Sequence, residues 1–192
     1  MKLYVVRHGE SEANAGGLFA GWADVDLTSK GEQDARDAGE LLRHVSFDRV
    51  YSSDIYRAVR TCRLALPEAE VERTALMREY DVGDLLGKKI EEFCKDPVAR
   101  SHRNCRNFAP YGGEDTAMVW ERVKQFASLL EERKDETVAL FGHAGTICLL
   151  ANCLLGLPPE YRVVEAKNGA ITVFEYDGAR WRLDVLNYRK KL

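Results

Sequence analysis

Apolar residues along this chain change period several times, and each change marks an element. Leu3-Tyr4-Val5-Val6 is an unbroken apolar run rich in β-branched and aromatic side chains, the pattern of a strand buried on both faces of a parallel sheet. From Thr28 or Ser29 to Arg43 the period becomes helical, with Ala35, Ala38, Leu41 and Leu42 recurring between charges behind a hydroxyl N-cap. Asp48-Arg49-Val50-Tyr51 predicts a second strand. Ser52-Ser53-Asp54 then supplies caps for a helix through Ala58, Val59, Cys62 and Leu66 that Pro67 ends. Val71-Glu72-Arg73 reads as a short strand. Glu114 to Glu132 reads as a long helix with Val119, Val123, Phe126, Leu129 and Leu130 on one face, and Thr137 to Phe141 as another buried strand. A helix from about Thr146 to Leu155 follows. Two strands near Ala170–Glu175 and Trp181–Leu186, joined through Asp177-Gly178, complete the order.

Strands alternating with helices predict an α/β fold, a three-layer αβα sandwich around a mostly parallel sheet. No repeat or Pro/Gly/Ser-rich linker divides the chain, so residues 1–192 are expected to form one domain. Open sheets of this kind bind ligands outside the carboxyl ends of their strands. That rule selects Arg7-His8-Gly9-Glu10, Ser52-Ser53 and Gly142-His143-Ala144-Gly145. Two of the four histidines thus directly follow apolar strands with glycine beside each; His44 and His102 fit helix-end or solvated positions better.

Composition narrows the partners. With 28 Lys+Arg against 31 Asp+Glu, the net charge of −3 gives no electrostatic case for nucleic acid or an anionic membrane. The N-terminal apolar run meets charge at Arg7 and Glu10, too soon for a secretory or spanning segment, and a cytoplasmic location is expected. Five unclustered cysteines without a C-x-x-C pair read as buried or indifferent thiols, and Cys94, His102 and Cys105 match no zinc spacing. Neither a metal nor a cofactor is expected.

A neutral imidazole is a good nucleophile toward phosphorus, and a phosphoryl group moving onto it needs cations around its oxygens. Arg7 beside His8 meets that need, with Arg57 and Arg60 as further candidates and His143 as a donor completing the clamp. Nearby arginines would also lower the pKa of His8 and keep it nucleophilic. A single histidine after a strand reads as a satisfied loop residue; two, with Arg7, favour chemistry. A G-x-x-x-x-G-K-[ST] loop, G-x-G-x-x-G and G-x-S-x-G are all absent.

Arg7-His8-Gly9-Glu10-Ser11 with Asn14, Gly21-Trp22 through Thr28 to Gly31, Tyr51-Ser52-Ser53-Asp54 through Arg57-Ala58 to Thr61, Gly113-Glu114, and Gly142-His143-Ala144-Gly145 appear in one order. Together they resemble the histidine phosphatase superfamily, branch 1, of phosphoglycerate mutase-like fold, and look most like small phosphatases of the α-ribazole or broad-specificity type. The resemblance implies that His8 takes the phosphoryl group, that Arg7, Arg57 and His143 surround it, and that Asn14, Gly21 and Ala144 help bind the substrate. It also implies that Glu79 is the general acid, with Asp81 and Asp84 as substitutes. Ala20 stands where a mutase usually has serine, and the chain is shorter than typical mutases; both favour hydrolysis. The expected function is therefore metal-independent hydrolysis of a small soluble phosphate ester. A cofactor-dependent phosphoglycerate mutase and a non-catalytic phosphate-binding protein are the alternatives. Residues 80–113 are expected to cover the site. Within them, 88–106 carries six cations against three carboxylates, a balance of +3 suited to an anionic substrate or simply to a solvated face. Trp22, Tyr80 and Phe108 could line the pocket or pack. A homodimer is possible.

Overall fold

The computed structural model describes residues 1–133 and 136–190. Its elements, in chain order, are β1 (Lys2–Arg7), α1 (Glu12–Gly16), α2 (Ser29–Leu42), β2 (Arg49–Ser53), α3 (Tyr56–Ala65), β3 (Val71–Thr74), α4 (Ile90–Phe93), α5 (Pro97–Asn104), α6 (Thr116–Glu131), β4 (Thr137–Gly142), α7 (Ala144–Leu154), β5 (Ile171–Tyr176) and β6 (Trp181–Tyr188). One six-stranded sheet has the order β3-β2-β4-β1-β5-β6. β3, β2, β4 and β1 are parallel, and β5 and β6 add an antiparallel margin.

The layers follow from alternation along the strands. Leu3 and Val5 of β1, Tyr51 of β2, Val138 and Leu140 of β4, and Phe174 of β5 join one core with Val119, Val123, Phe126 and Leu130 of α6 and with α7. Val6, Val50, Ala139, Phe141, Ile171 and Val173 face the other way, against Ala38 and Leu42 of α2 and Cys62 and Ala65 of α3. This is the expected three-layer sandwich.

Several boundaries differ from the sequence reading. Ser52 and Ser53 belong to β2 instead of following it, and the N-cap of α3 is Ile55, which lacks a side-chain cap. Asp54 is occupied by Arg78, whose Nε and Nη2 donate to it at 2.7 and 2.6 Å. α7 starts at Ala144 with His143 as its N-cap, two residues before the predicted start. The β5–β6 turn runs Asp177–Arg180, so Gly178 and Ala179 are its central residues instead of Asp177 and Gly178. No described helix is long and apolar enough to cross a membrane.

Where β1 gives way to α1, the chain crosses the first turn of α2 at van der Waals limits. A Cβ on Gly9 would lie 2.1 Å from the Gly31 carbonyl oxygen, and a Cβ on Gly31 would lie 1.9 Å from that of Glu10. Thr28 caps α2 by accepting from Gly31 N at 3.0 Å, while its own backbone N–H donates to Glu10 O at 2.9 Å. Two glycines therefore let the loop carrying His8 lie directly on α2.

Gly31→Ala sets two effects against each other. Alanine is the better helix former by up to about 1 kcal/mol, but the clash with backbone costs about 1–3 kcal/mol. A net loss of stability is expected, read as a lower urea midpoint at unchanged slope; a raised midpoint would refute the close-contact argument.

Candidate active site

β1 and β4 lie side by side in parallel, with Arg7 opposite Gly142, so the next residue of each chain segment is a histidine. The backbone N–H of His8 donates to Gly142 O at 3.0 Å, and the His8 and His143 rings stand 5.2 Å apart at 59°. Both histidines are buried.

His8 has a defined tautomer. Its Nδ1 lies 2.7 Å from Gly9 O, and since a carbonyl only accepts, Nδ1 carries the proton and Nε2 the lone pair. Arg57 Nε donates to that lone pair at 3.3 Å. Burial first, then Arg57 and Arg7, hold the imidazole pKa well below its ordinary value of 6.5. The ring is thus neutral, with Nε2 as its unprotonated nitrogen, and lines the cavity, while Gly9 N–H donates to Thr61 Oγ1 at 3.1 Å and anchors the loop.

Arg57 is the second residue of α3, nearer the helix start than the sequence suggested, and is 2% exposed. Its Nη1 and Nη2 donate to the carbonyls of Ala23 and Gly21 at 3.0 and 2.9 Å. Burial lowers its pKa to about 10, with Glu79 opposing, so it stays cationic at neutral pH. Arg7 donates from Nη1 to Ala166 O at 2.7 Å and leaves Nε buried without a partner. Arg60 lies elsewhere, held by Asp26 and Glu32.

Fully buried His143 has Nε2 2.8 Å from Ser53 Oγ, and its Nδ1 is buried and unpartnered. Burial, then Arg57, His8 and Arg7, also hold its pKa well below 6.5. Beyond it, Gly145 N–H donates to Glu79 Oε2 at 3.0 Å, and Glu79 Oε1 accepts from Tyr80 N–H at 3.0 Å. A Cβ on Gly145 would sit 2.1 Å from Glu79 Oε1, so glycine there is what admits the carboxylate. The strand-end residues Arg7, His8, Ala144 and Gly145 line one cavity of about 430 Å³ together with Arg57 and Glu79, and Asn14, Ala20 and Gly21 also line it. His143 is not among the cavity residues; its ring stands beside that of His8.

Residues 80–113 contribute Tyr80, Val82, Ile90, Arg103, Arg106 and Phe108 to the cavity. Backbone bonds from Phe19 N to Lys88 O and from Ile90 N to Gly17 O tie this segment down. Trp22 does not line the cavity; its Nε1 donates to Glu79 O at 2.7 Å. Asp81 and Asp84 are not cavity residues; Asp81 Oδ1 accepts from Gly83 N. His102 pairs with the Tyr111 hydroxyl at 3.1 Å, and among the described residues no group of three or more His, Cys, Asp or Glu side chains is arranged to hold a metal.

Three supports were missed by sequence reading. Asn168 Nδ2 donates to His8 O at 3.0 Å, Gly9 O at 3.3 Å and Asn14 Oδ1 at 3.1 Å. With Ser11 N also donating to Asn14 Oδ1, the amide of Asn14 is oriented so that its NH₂ is the uncommitted group. Arg122 donates to the carbonyls of Leu76, Arg78 and Glu79 and pairs with Glu114, which in turn accepts from Asp81 N, fixing the Glu79 segment. Thr61 stood in the matched motif without a role. The only sequence signal for Asn168 is the turn dipeptide Asn168-Gly169 before a strand.

Comparison with known proteins agrees with this geometry. The family model described as "Histidine phosphatase superfamily (branch 1)" matches residues 3–189. The chain is 34% identical over 185 residues to an adenosylcobalamin/alpha-ribazole phosphatase of Salmonella typhimurium, covering 91% of this chain and 92% of that protein. It is 46% identical over 140 residues to a 2,3-bisphosphoglycerate-dependent phosphoglycerate mutase of Streptococcus gordonii, covering 67% of this chain and 61% of the mutase. The crystal structure of the alpha-ribazole phosphatase from Shigella flexneri superposes with a TM-score of 0.88 at 28% identity, covering 98% of this chain and 97% of that one. The chain belongs to the histidine phosphatase superfamily, branch 1, and is an enzyme that hydrolyses phosphate esters.

Proposed function

We propose that the protein is a metal-independent phosphomonoesterase working through a phosphohistidine on His8. The observation that carries this reading is the buried, neutral His8, whose unprotonated Nε2 meets Arg57 in a cavity that Arg7 also lines. In the first step Nε2 attacks phosphorus as the bond to the ester oxygen breaks, and Glu79 passes to that oxygen a proton brought in by the monoanion of the ester. Arg7 and Arg57, with the free NH₂ of Asn14 and the backbone at Gly21 and at the start of α7 by Ala144, hold the phosphoryl oxygens. With the Ser53 hydroxyl donating to Nε2 of His143, the proton of that ring sits on Nδ1 and makes His143 a further donor. Water then attacks phosphorus while passing a proton to Glu79; the phosphorus–Nε2 bond breaks, its electron pair returns to His8 and phosphate is released.

Residues 80–113 act as the lid of a single catalytic domain spanning 1–192, and the substrate is a small soluble phosphate ester of the kind named for the α-ribazole phosphatase relatives. The mutase reading draws on the 46% identity to the streptococcal enzyme. Against it stand the limited span of that match and Ala20, a cavity residue without a hydroxyl to hold phosphate.

Phosphate release from an aryl phosphate in EDTA is expected for the wild type and absent in His8→Ala. Chelation that abolishes turnover, restored by metal, would sink the metal-independent mechanism; bisphosphate-primed isomerisation of 3-phosphoglycerate exceeding release would make it a mutase. Glu79→Gln is expected to lower kcat about 100-fold on alkyl esters, with a smaller loss on aryl esters, whose leaving group needs less protonation. Equal losses on both would move the acid elsewhere.

The two histidines also predict a pH dependence. Each has a folded pKa below 6.5, so below that pH the unfolded chain binds protons that the native state does not. Stability should hold above pH 6.5 and fall below it, at up to about 2.7 kcal/mol per pH unit if both sites contribute. Urea titrations of wild type and His143→Gln at pH 7 and pH 5.5 check this; the variant should lose less stability on acidification, and an equal loss would contradict the assignment.

A further inference from the structure

The cavity holds more cation than one phosphoryl group uses. Five arginines line it, Arg7, Arg57, Arg103, Arg106 and Arg162, together with two carboxylates, Glu79 and Glu165. Among the described residues, none of the five is ion-paired with a carboxylate. A phosphomonoester brings about −1.5 to −2 at neutral pH, which leaves the lining positive after the ester has bound.

The surplus has a location. Arg7 and Arg57 stand at His8, whereas Arg103 lies on α5, Arg106 just beyond its end, and Arg162 in the segment after α7. Arg106 has a backbone φ of 50°, a left-handed conformation that non-glycine residues seldom adopt. Its Nη1 donates to Gly145 O at 3.3 Å, and its guanidinium lies 5.8 Å from the Tyr80 ring centroid. Arg162 Nη2 donates to the Asn104 carbonyl at the end of α5, so two separate segments meet where these guanidinium groups gather. Each retains donors that no carboxylate of the protein takes up, and a guanidinium fork suits carboxylate and phosphate alike.

We propose that Arg103, Arg106 and Arg162 form a second anion subsite, and that the preferred substrate is a phosphomonoester whose organic part carries a further carboxylate or phosphate group. This rests on the phosphatase reading for the meaning of the reacting end. It goes beyond that reading by distinguishing acidic esters from neutral ones of equal size.

Equilibrium binding to the His8→Ala protein tests the subsite without turnover. Titration calorimetry would compare 3-phosphoglycerate with glycerol 3-phosphate, and fructose 1,6-bisphosphate with fructose 6-phosphate. The more anionic member of at least one pair is expected to bind about tenfold more tightly, the gain of one well-formed charged contact. Which pair shows it identifies the second group as carboxylate or phosphate. Adding Arg103→Gln/Arg106→Gln should bring that ratio close to one, and Arg162→Gln, on a different segment, should lower it independently. Thermal melts check that each variant is folded. A ratio near one in the His8→Ala protein for both pairs, or one that neither set of substitutions changes, would overturn the proposal. In the active enzyme the same pairs compared by kcat/KM should show the same preference. Absence of turnover on every ester would count against the phosphatase reading alone, because the binding ratios would still decide the subsite.

Discussion

The site depends on the in-register parallel pairing of β1 with β4. That pairing puts Arg7 opposite Gly142, so the chain leaves both strands at the same height and delivers His8 and His143 next to each other. The ladder also continues one step further, from His8 N–H to Gly142 O, so the proposed nucleophile is held by the same kind of bond as the sheet itself. A slip of one residue would turn every side chain of β1 to the opposite face. The alternation of Leu3 and Val5 toward one core and Val6 toward the other therefore protects the active register as well as the fold.

Burial then tunes the chemistry. A charged imidazole between Arg7 and Arg57 would be unfavourable both for lack of water and for like-charge repulsion, so His8 remains neutral. Arg57 bears the opposite demand: it must stay charged while almost wholly buried. Carbonyls of Gly21 and Ala23 accept from its guanidinium and Glu79 adds a favourable field. A carboxylate in direct contact would bind the cation more strongly, but would occupy the donors that a phosphoryl group needs. Carbonyl dipoles hold the arginine without neutralising it.

Much of this was legible in residue order because strand ends point to ligand sites. The continuous apolar runs at Leu3–Val6 and Thr137–Phe141 marked central strands, and His8 and His143 followed them at once. Element ends were read less well where a side chain answers to distant partners. Ser53 looks like a cap but ends β2 and meets His143, 90 residues away; Asp54 looks like a cap but pairs with Arg78. Asn168 was illegible for the same reason, since its partners His8, Gly9 and Asn14 lie about 150 residues upstream. Local pattern reports local structure, whereas these contacts arise only after the sheet has brought β1 and the approach to β5 together.

The segment 80–113, expected to cover the site, gives little periodic signal in the sequence because its helices α4 and α5 are short and lie on the surface. Its physical role differs from that of the strand ends. Residues at the carboxyl ends of β1 and β4 are constrained by the ladder, by glycine contacts and by neighbouring cores, so they can hardly change without moving the nucleophile. The segment 80–113 is joined to the rest by backbone bonds at residues 17–19, by the Arg122–Glu114 clamp near its edges, by Arg106 to Gly145 and Arg162 to Asn104, and by Tyr80, Val82, Leu85 and Phe108 in the core. Side chains between those attachment points, Arg103 among them, can vary without disturbing His8. On the proposed mechanism, reaction chemistry resides at the strand ends and substrate choice in the segment 80–113, and exchanging Arg103 on α5 is expected to redirect specificity while leaving phosphoryl transfer intact.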